Sequence, residues 1–93
     1  MTLKIGVVGT SWWADAMYLP ALATHPDATL AALCGRDADR AAHVASQYQI
    51  PQVYTDAGRM FREGGLDAVI IATGNETHHA FALAALRAGL HVL

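Results

Sequence analysis

The sequence predicts a doubly wound α/β domain, one parallel sheet with helices on both faces. Three observations lead there. A buried strand fed by Leu3, Ile5, Val7 and Val8 breaks at Gly9 into a tight turn and then a helical segment. Short apolar runs bounded by turn residues alternate with helical stretches along the whole chain, and the most β-like run, Leu66 to Ala72, ends in the polar loop Thr73 to Thr77. Runs that are apolar throughout suit strands buried on both sides of a parallel sheet, and right-handed crossovers between such strands place helices on both faces.

Each element has its own signal. After the first turn, Trp13 to His25 is helical in pattern but holds Pro20, so a short helix to about Met17, a bend and a second piece with Pro20 in its first turn are expected. Ala28 to Cys34 reads as the second strand. Asp37 is placed to cap a helix over Ala38 to Tyr48, whose positions Ala41, Val44, Ala45 and Tyr48 recur at helical spacing. Pro51 leads into a short strand, Gln52 to Tyr54. Asp56 caps a helix from Ala57 to Glu63, which Gly64-Gly65 stops in left-handed geometry. Leu66 to Ala72 is the fourth strand, Thr77 the cap of a last helix with Phe81, Ala84, Ala85 and Ala88 on one face, and Gly89 its stop. His91-Val92-Leu93 begins a fifth strand, so the expected fold is truncated after the start of that strand.

Composition narrows the classes. At 93 residues there is room for one domain, able to bury roughly two-thirds of its extended-chain surface. Hydrophobic residues make up 54%, charged residues 15% and the formal net charge is −2, which argues against disorder and against an electrostatic nucleic-acid surface. The single Cys34 cannot form an internal disulfide and suits a reducing compartment. No signal peptide is expected ahead of the first strand, and the longest apolar run, Ala80 to Leu86, is far short of a membrane span. No membrane association and a cytoplasmic location are therefore expected.

Ligands of such sheets bind outside the carboxyl ends of the strands, where strand order reverses. Three loops lie on that rim: Gly9 to Ala14, Cys34 to Asp37, and Thr73 to Thr77. A strand that ends in a glycine turn and opens a helix aims unpaired amides and the positive end of a dipole at the turn, which attracts an anion. Dinucleotide folds spell that turn G-x-G-x-x-G/A, and here the three positions are Gly9, Ser11 and Ala14. Ser11 thus carries a Cβ where a diphosphate would approach, and an ordinary strand-to-helix turn is the competing reading.

At the end of the second strand an NAD-preferring fold usually carries an acid for the ribose 2′-hydroxyl. This chain has Gly35 and Arg36 there, with Asp37 late in the turn unless the loop shifts. A guanidinium matches a phosphate bidentately, so Arg36 favours the 2′-phosphate of NADP, against the alternative of a solvated arginine. Thr73, Asn75 and His78 have groups suited to a cofactor cleft; loop chemistry and helix capping are the competing reading for Thr73 and Asn75, and for His78 a surface helix histidine is the commoner case. Trp13 falls where an apolar residue would anchor the turn in the core, while Trp12 lies either beside a diphosphate or against another domain. Cys34 reads as a small buried hydrophobe, and Asp15, Asp67 and Glu76 as isolated solvated carboxylates. The five histidines show no zinc-ligand spacing, and neither a G-x-S-x-G nor a P-loop motif occurs.

Six ordered blocks carry a wider resemblance: Val8 to Ala14, Tyr18-Leu19-Pro20-Ala21-Leu22, Cys34 to Asp37, Val53-Tyr54-Thr55-Asp56, Ile70 to His78, and Ala88 to Leu93. Together they resemble the N-terminal domain of the glucose-fructose oxidoreductase, inositol dehydrogenase and rhizopine-catabolism (Gfo/Idh/MocA) family, over the whole chain. The resemblance implies a Rossmann fold, residues 1–93 as an incomplete NAD(P)-binding domain, and a C-terminal substrate domain outside this stretch. It implies an NAD(P)-dependent oxidoreductase acting on a sugar, cyclitol or related polyol, with the complete protein a homo-oligomer. By matching position, Gly9, Thr10, Ser11, Trp12 and Trp13 would line the diphosphate, Arg36 the adenosine ribose, and Thr73, Asn75 and His78 the nicotinamide half. Ser11 and Gly74 depart from the family pattern. Its Glu-Lys-Pro motif, with the lysine that works near the hydride, follows the strand begun at His91, so no catalytic residue and no metal ligand is expected within residues 1–93. A non-catalytic NAD(P) sensor of the same fold is the alternative from another class, and a nucleotide-free scaffold a weaker one.

Overall fold

The computed structural model of the chain describes residues 3–9, 24, 26–73 and 75–92. Strands β1 (Leu3–Val8), β2 (Ala28–Cys34), β3 (Gln52–Tyr54), β4 (Ala68–Ile71) and β5 (His91–Val92) form one sheet in the order β3-β2-β1-β4-β5. All four pairings are parallel. Helices α1 (Ala38–Tyr48), α2 (Ala57–Glu63) and α3 (Asn75–Arg87) connect successive strands from β2 onward. The helical pieces expected between Trp13 and His25 lie outside the described residues.

Alternation along the strands explains the two-sided core. In β1, Val7 points to one face and Val8 to the other; in β4, Ala68 and Ile70 oppose Val69 and Ile71. One face joins Ile5, Val7, Leu30, Leu33 and Ile70 to Val44 and Ala45 of α1. The other joins Val8, Cys34, Val69 and Ile71 to Met60 and Phe61 of α2 and Ala85 of α3. β2 breaks the alternation, because Ala31 and Ala32 both join the second face. The register shows why: Ile5 pairs Leu30 but Gly6 pairs Ala32, so Ala31 is the extra residue of a bulge. Leu33, Met60, Val7 and Val69 are the largest fully buried side chains among the described residues, each worth about 1.5–3 kcal/mol of burial.

The bounds of β2, α1, β3 and α2 match the sequence expectation, and their caps explain it. Asp37 and Asp56 take the extended backbone of an N-cap and accept from amides in the first turn of α1 and α2. Five expectations need correction. β4 is shorter than Leu66 to Ala72: Leu66 instead packs over Gly6, and Asp67 is tied into the foot of the sheet. Asp67 is therefore not an isolated carboxylate. Its Oδ2 accepts from Lys4 N at 2.9 Å, its amide donates to Lys4 O at 2.8 Å, and its carbonyl accepts from His91 N at 3.2 Å.

α3 begins at Asn75, so Thr77 lies in the first turn and is not the cap. Ala88 falls beyond α3 and is exposed, leaving Ala85 buried with Phe81 and Ala84 packed beside it. At the end of α2, Gly64 keeps right-handed geometry at φ −73°, and only Gly65, at φ +66°, turns left-handed. One feature had no sequence signal at all: Gln49 closes α1 in the left-handed region at φ 56°, its amide donating to Ala45 O.

Candidate cofactor site

Three backbone bonds join the carboxyl ends of the strands. Gly9 N donates to Cys34 O at 2.8 Å, Ala72 N to Val8 O at 2.8 Å, and Gly35 N to Tyr54 O at 3.0 Å. The loops after β1, β2 and β4 therefore leave from one rim, with β1 between β2 and β4. β1 leads to β2 on one side, while the chain later crosses to β4 on the other. That reversal is the switch point at which such sheets bind ligands.

Gly9 sits at the centre of this rim with φ +120°. A Cβ there would lie 2.5 Å from the Ala72 carbonyl oxygen and 3.0 Å from its carbon, so both the torsion and the close approach of β4 require glycine. The first position of the glycine turn is thus fixed by backbone geometry. Thr10, Ser11, Trp12 and Trp13 lie outside the described residues.

Beyond β2, Gly35 is buried, and Arg36 is exposed directly after it. Asp37 does not replace the missing acid at this turn, since its Oδ1 accepts from Asp39 N at 3.0 Å and Arg40 N at 3.1 Å. Beyond β4, Thr73 is half-buried and its Oγ1 is buried with no hydrogen-bond partner among the described residues. A buried hydroxyl in that state costs about 1–3 kcal/mol unless something bonds it, so a polar ligand group at the rim fits the donor set. Asn75 opens α3 by its backbone, and His78 is exposed one turn further on. The structure thus brings Gly9, Arg36, Thr73 and the start of α3 to loops of one rim, and sets His78 and His79 on the exposed surface of α3.

Cys34 ends β2 as a buried side chain. Desolvation, helped by the nearby Asp56 charge, pushes its thiol up to about 11, which keeps it neutral and unreactive near neutrality. A cleft of about 430 Å³ lies at the outer β3 edge, between Ala38 and the stretch Gln52 to Asp56 with Arg59. There Tyr54 donates its hydroxyl to Gln52 Oε1 at 2.7 Å, and Gln52 Nε2 donates to Gly64 O at 3.1 Å. Among the described residues no cluster of three metal-ligating side chains occurs, and no helix is long and apolar enough to cross a membrane.

Residues 3–93 match the oxidoreductase family described by an NAD-binding Rossmann fold, GFO_IDH_MocA. The chain belongs to the Gfo/Idh/MocA family. Within that family it is 37% identical over 94 residues to inositol 2-dehydrogenase 2 of Saccharopolyspora erythraea, covering all of this chain and 27% of that protein. Its fold superposes with a TM-score of 0.92 on scyllo-inositol dehydrogenase from Lactobacillus casei with bound NAD(H) and scyllo-inositol, at 27% identity over 99% of this chain and 27% of that one. A 3-ketoreductase from Actinomadura kijaniata, solved with NADP and TDP-benzene, also gives 0.92, at 29% identity over all of this chain and 28% of that one. The Gfo/Idh/MocA chain described here therefore spans about a quarter of the length of these relatives, over their nucleotide-binding Rossmann portion.

Proposed function

We propose that the complete protein is an NAD(P)-dependent oxidoreductase that moves a hydride between a nicotinamide and a sugar, cyclitol or related polyol. Residues 1–93 are its incomplete nucleotide-binding domain, followed in the longer protein by a substrate domain. The coenzyme supplies the hydride chemistry, and this part of the protein supplies binding and orientation.

The observation that carries the reading is the Gly9 corner. A residue forced to be glycine by the Ala72 carbonyl, between strands on either side of the switch point, is what a backbone cradle for a diphosphate needs. The unpartnered Thr73 hydroxyl supports it from the neighbouring loop. In this reading Gly9, Thr10, Ser11, Trp12 and Trp13 line the diphosphate, Arg36 meets the adenosine ribose, and Thr73, Asn75 and His78 face the nicotinamide half. NADP is favoured over NAD because Gly35 and Arg36 stand where an acid would serve NAD, and because Asp37 is occupied at α1. The names of the relatives, inositol dehydrogenase among them, support a polyol substrate and an enzyme over a sensor.

The test is a titration of the complete protein with NADP and NAD separately, read by tryptophan emission, followed by turnover assays on inositols and aldoses. Tighter NADP and coenzyme reduction by a polyol support the proposal. Tighter or equal NAD rejects the role of Arg36, and tight coenzyme binding without turnover of any polyol or sugar favours the sensor.

A further inference from the structure

Asp37 is the first acid in the sequence after the end of β2, and an acid in that part of a dinucleotide fold ordinarily meets the adenosine ribose. Here its geometry serves something else. Its backbone is extended, at φ −93° and ψ 109°, and its carbonyl accepts from Ala41 N at 2.9 Å while its carboxylate holds the amides of Asp39 and Arg40. A carboxylate seated on two amides at the positive end of a helix is electrostatically favoured, and turning it toward a ribose diol would strip both amides of their partner. On the other side of the turn, Gly35 N is bonded to Tyr54 O, and Cys34 O accepts from Gly9 N. The backbone of Arg36 is thus held between two fixed points, one at the sheet and one at the helix.

We infer that Asp37 is a positioning residue for coenzyme choice: by capping α1 it fixes the turn that carries Arg36, and it gives no carboxylate to the ribose diol. The inference rests on the proposal that Arg36 meets the 2′-phosphate of NADP. It adds that the first amides of α1 are already occupied, so the phosphate depends on the guanidinium and on how firmly the turn holds it.

The experiment uses the complete protein and four forms: unaltered, Asp37→Ser, Asp37→Ala and Arg36→Ala. NADP and NAD are titrated separately by tryptophan emission at a temperature where circular dichroism shows each form folded. Serine keeps a capping oxygen and removes the charge, whereas alanine removes both. With Asp37→Ser, both dissociation constants stay within about twofold of the unaltered protein; with Asp37→Ala, NADP weakens by about threefold to tenfold while NAD stays within about twofold. Weakened NAD in the serine form overturns the inference, since the carboxylate would then be a ribose ligand. Unchanged binding of both coenzymes in a folded alanine form overturns it too, since the cap would then serve α1 alone. Should the alanine form not fold, the serine form decides: unchanged binding of both coenzymes supports the inference and weaker binding of either overturns it. An equal effect of Arg36→Ala on NADP and NAD would instead reject the reading of Arg36 beneath it, which separates that failure from a failure at Asp37.

Discussion

Replacing Gly9 by alanine is the sharpest perturbation of the rim. The new Cβ meets the Ala72 carbonyl oxygen at 2.5 Å, a backbone atom with no freedom to turn away, because Ala72 N is itself bonded to Val8 O at 2.8 Å. Two costs add. A non-glycine residue at φ +120° carries about 1–3 kcal/mol of backbone strain. Forcing the end of β1 away from β4 costs about another 1–3 kcal/mol, as overpacking does in a core. The sum, about 2–6 kcal/mol, is a large part of the total stability of roughly 5–14 kcal/mol that a domain of 93 residues has. Gly89 isolates the first cost, since it too has positive φ, at +85°, but a Cβ there meets nothing within 4 Å. Urea unfolding of the complete protein, with each alanine variant beside the parent, measures both. Gly9→Ala is expected to lose at least about 1 kcal/mol more than Gly89→Ala, and to weaken coenzyme binding where Gly89→Ala does not. Equal losses for the two variants would refute the argument that β4 is what demands a glycine at the first turn.

The remaining predictions concern single sites. Gln49→Gly should raise stability by about 0.5–1 kcal/mol in thermal or urea unfolding, because glycine takes the left-handed end of α1 without the Cβ penalty. Cys34, with its thiol raised to about 11 from an ordinary 9, keeps its proton in the folded state at pH values where the unfolded chain has lost it. Stability should therefore fall as pH rises from about 9 to about 11, and Cys34→Ala should remove that part of the slope; a thiol reagent at pH 8 should label Cys34 only on unfolding. Leu86 is 59% exposed on α3 and Val53 41% exposed on the edge strand β3, so the 93-residue chain alone should self-associate in sedimentation, less so with Leu86→Glu.

Local grammar made much of this fold legible. Asp37 and Asp56 each stand directly before a run with apolar residues at helical spacing, so α1 and α2 could be bounded from sequence to the residue. The start of α3 could not, because Thr73, Asn75 and Thr77 are all able to cap and the sequence offers no way to choose among them. Asp67 looks isolated in the sequence because its partner, Lys4, lies 63 positions away, and Gln49 carries no sequence signal because its left-handed torsion is imposed by the chain's path into Ile50, whose amide returns to Ala45 O at 2.9 Å. At the candidate site the pattern picked out Gly9 and Arg36, but the reasons are tertiary. Only the sheet shows that the Ala72 carbonyl excludes any side chain at Gly9, and only the bonds to Asp39 and Arg40 show that Asp37 is held at α1. The orphaned hydroxyl of Thr73 likewise has no sequence signature that separates it from a loop threonine.

The central claim is that the backbone following Gly9 receives the diphosphate of a nicotinamide coenzyme. A crystal structure of the complete protein saturated with NADP tests it most directly. The expected result is diphosphate density against the turn that starts at Gly9, with the 2′-phosphate beside Arg36. Coenzyme bound elsewhere, or that corner left empty at saturation, would contradict it.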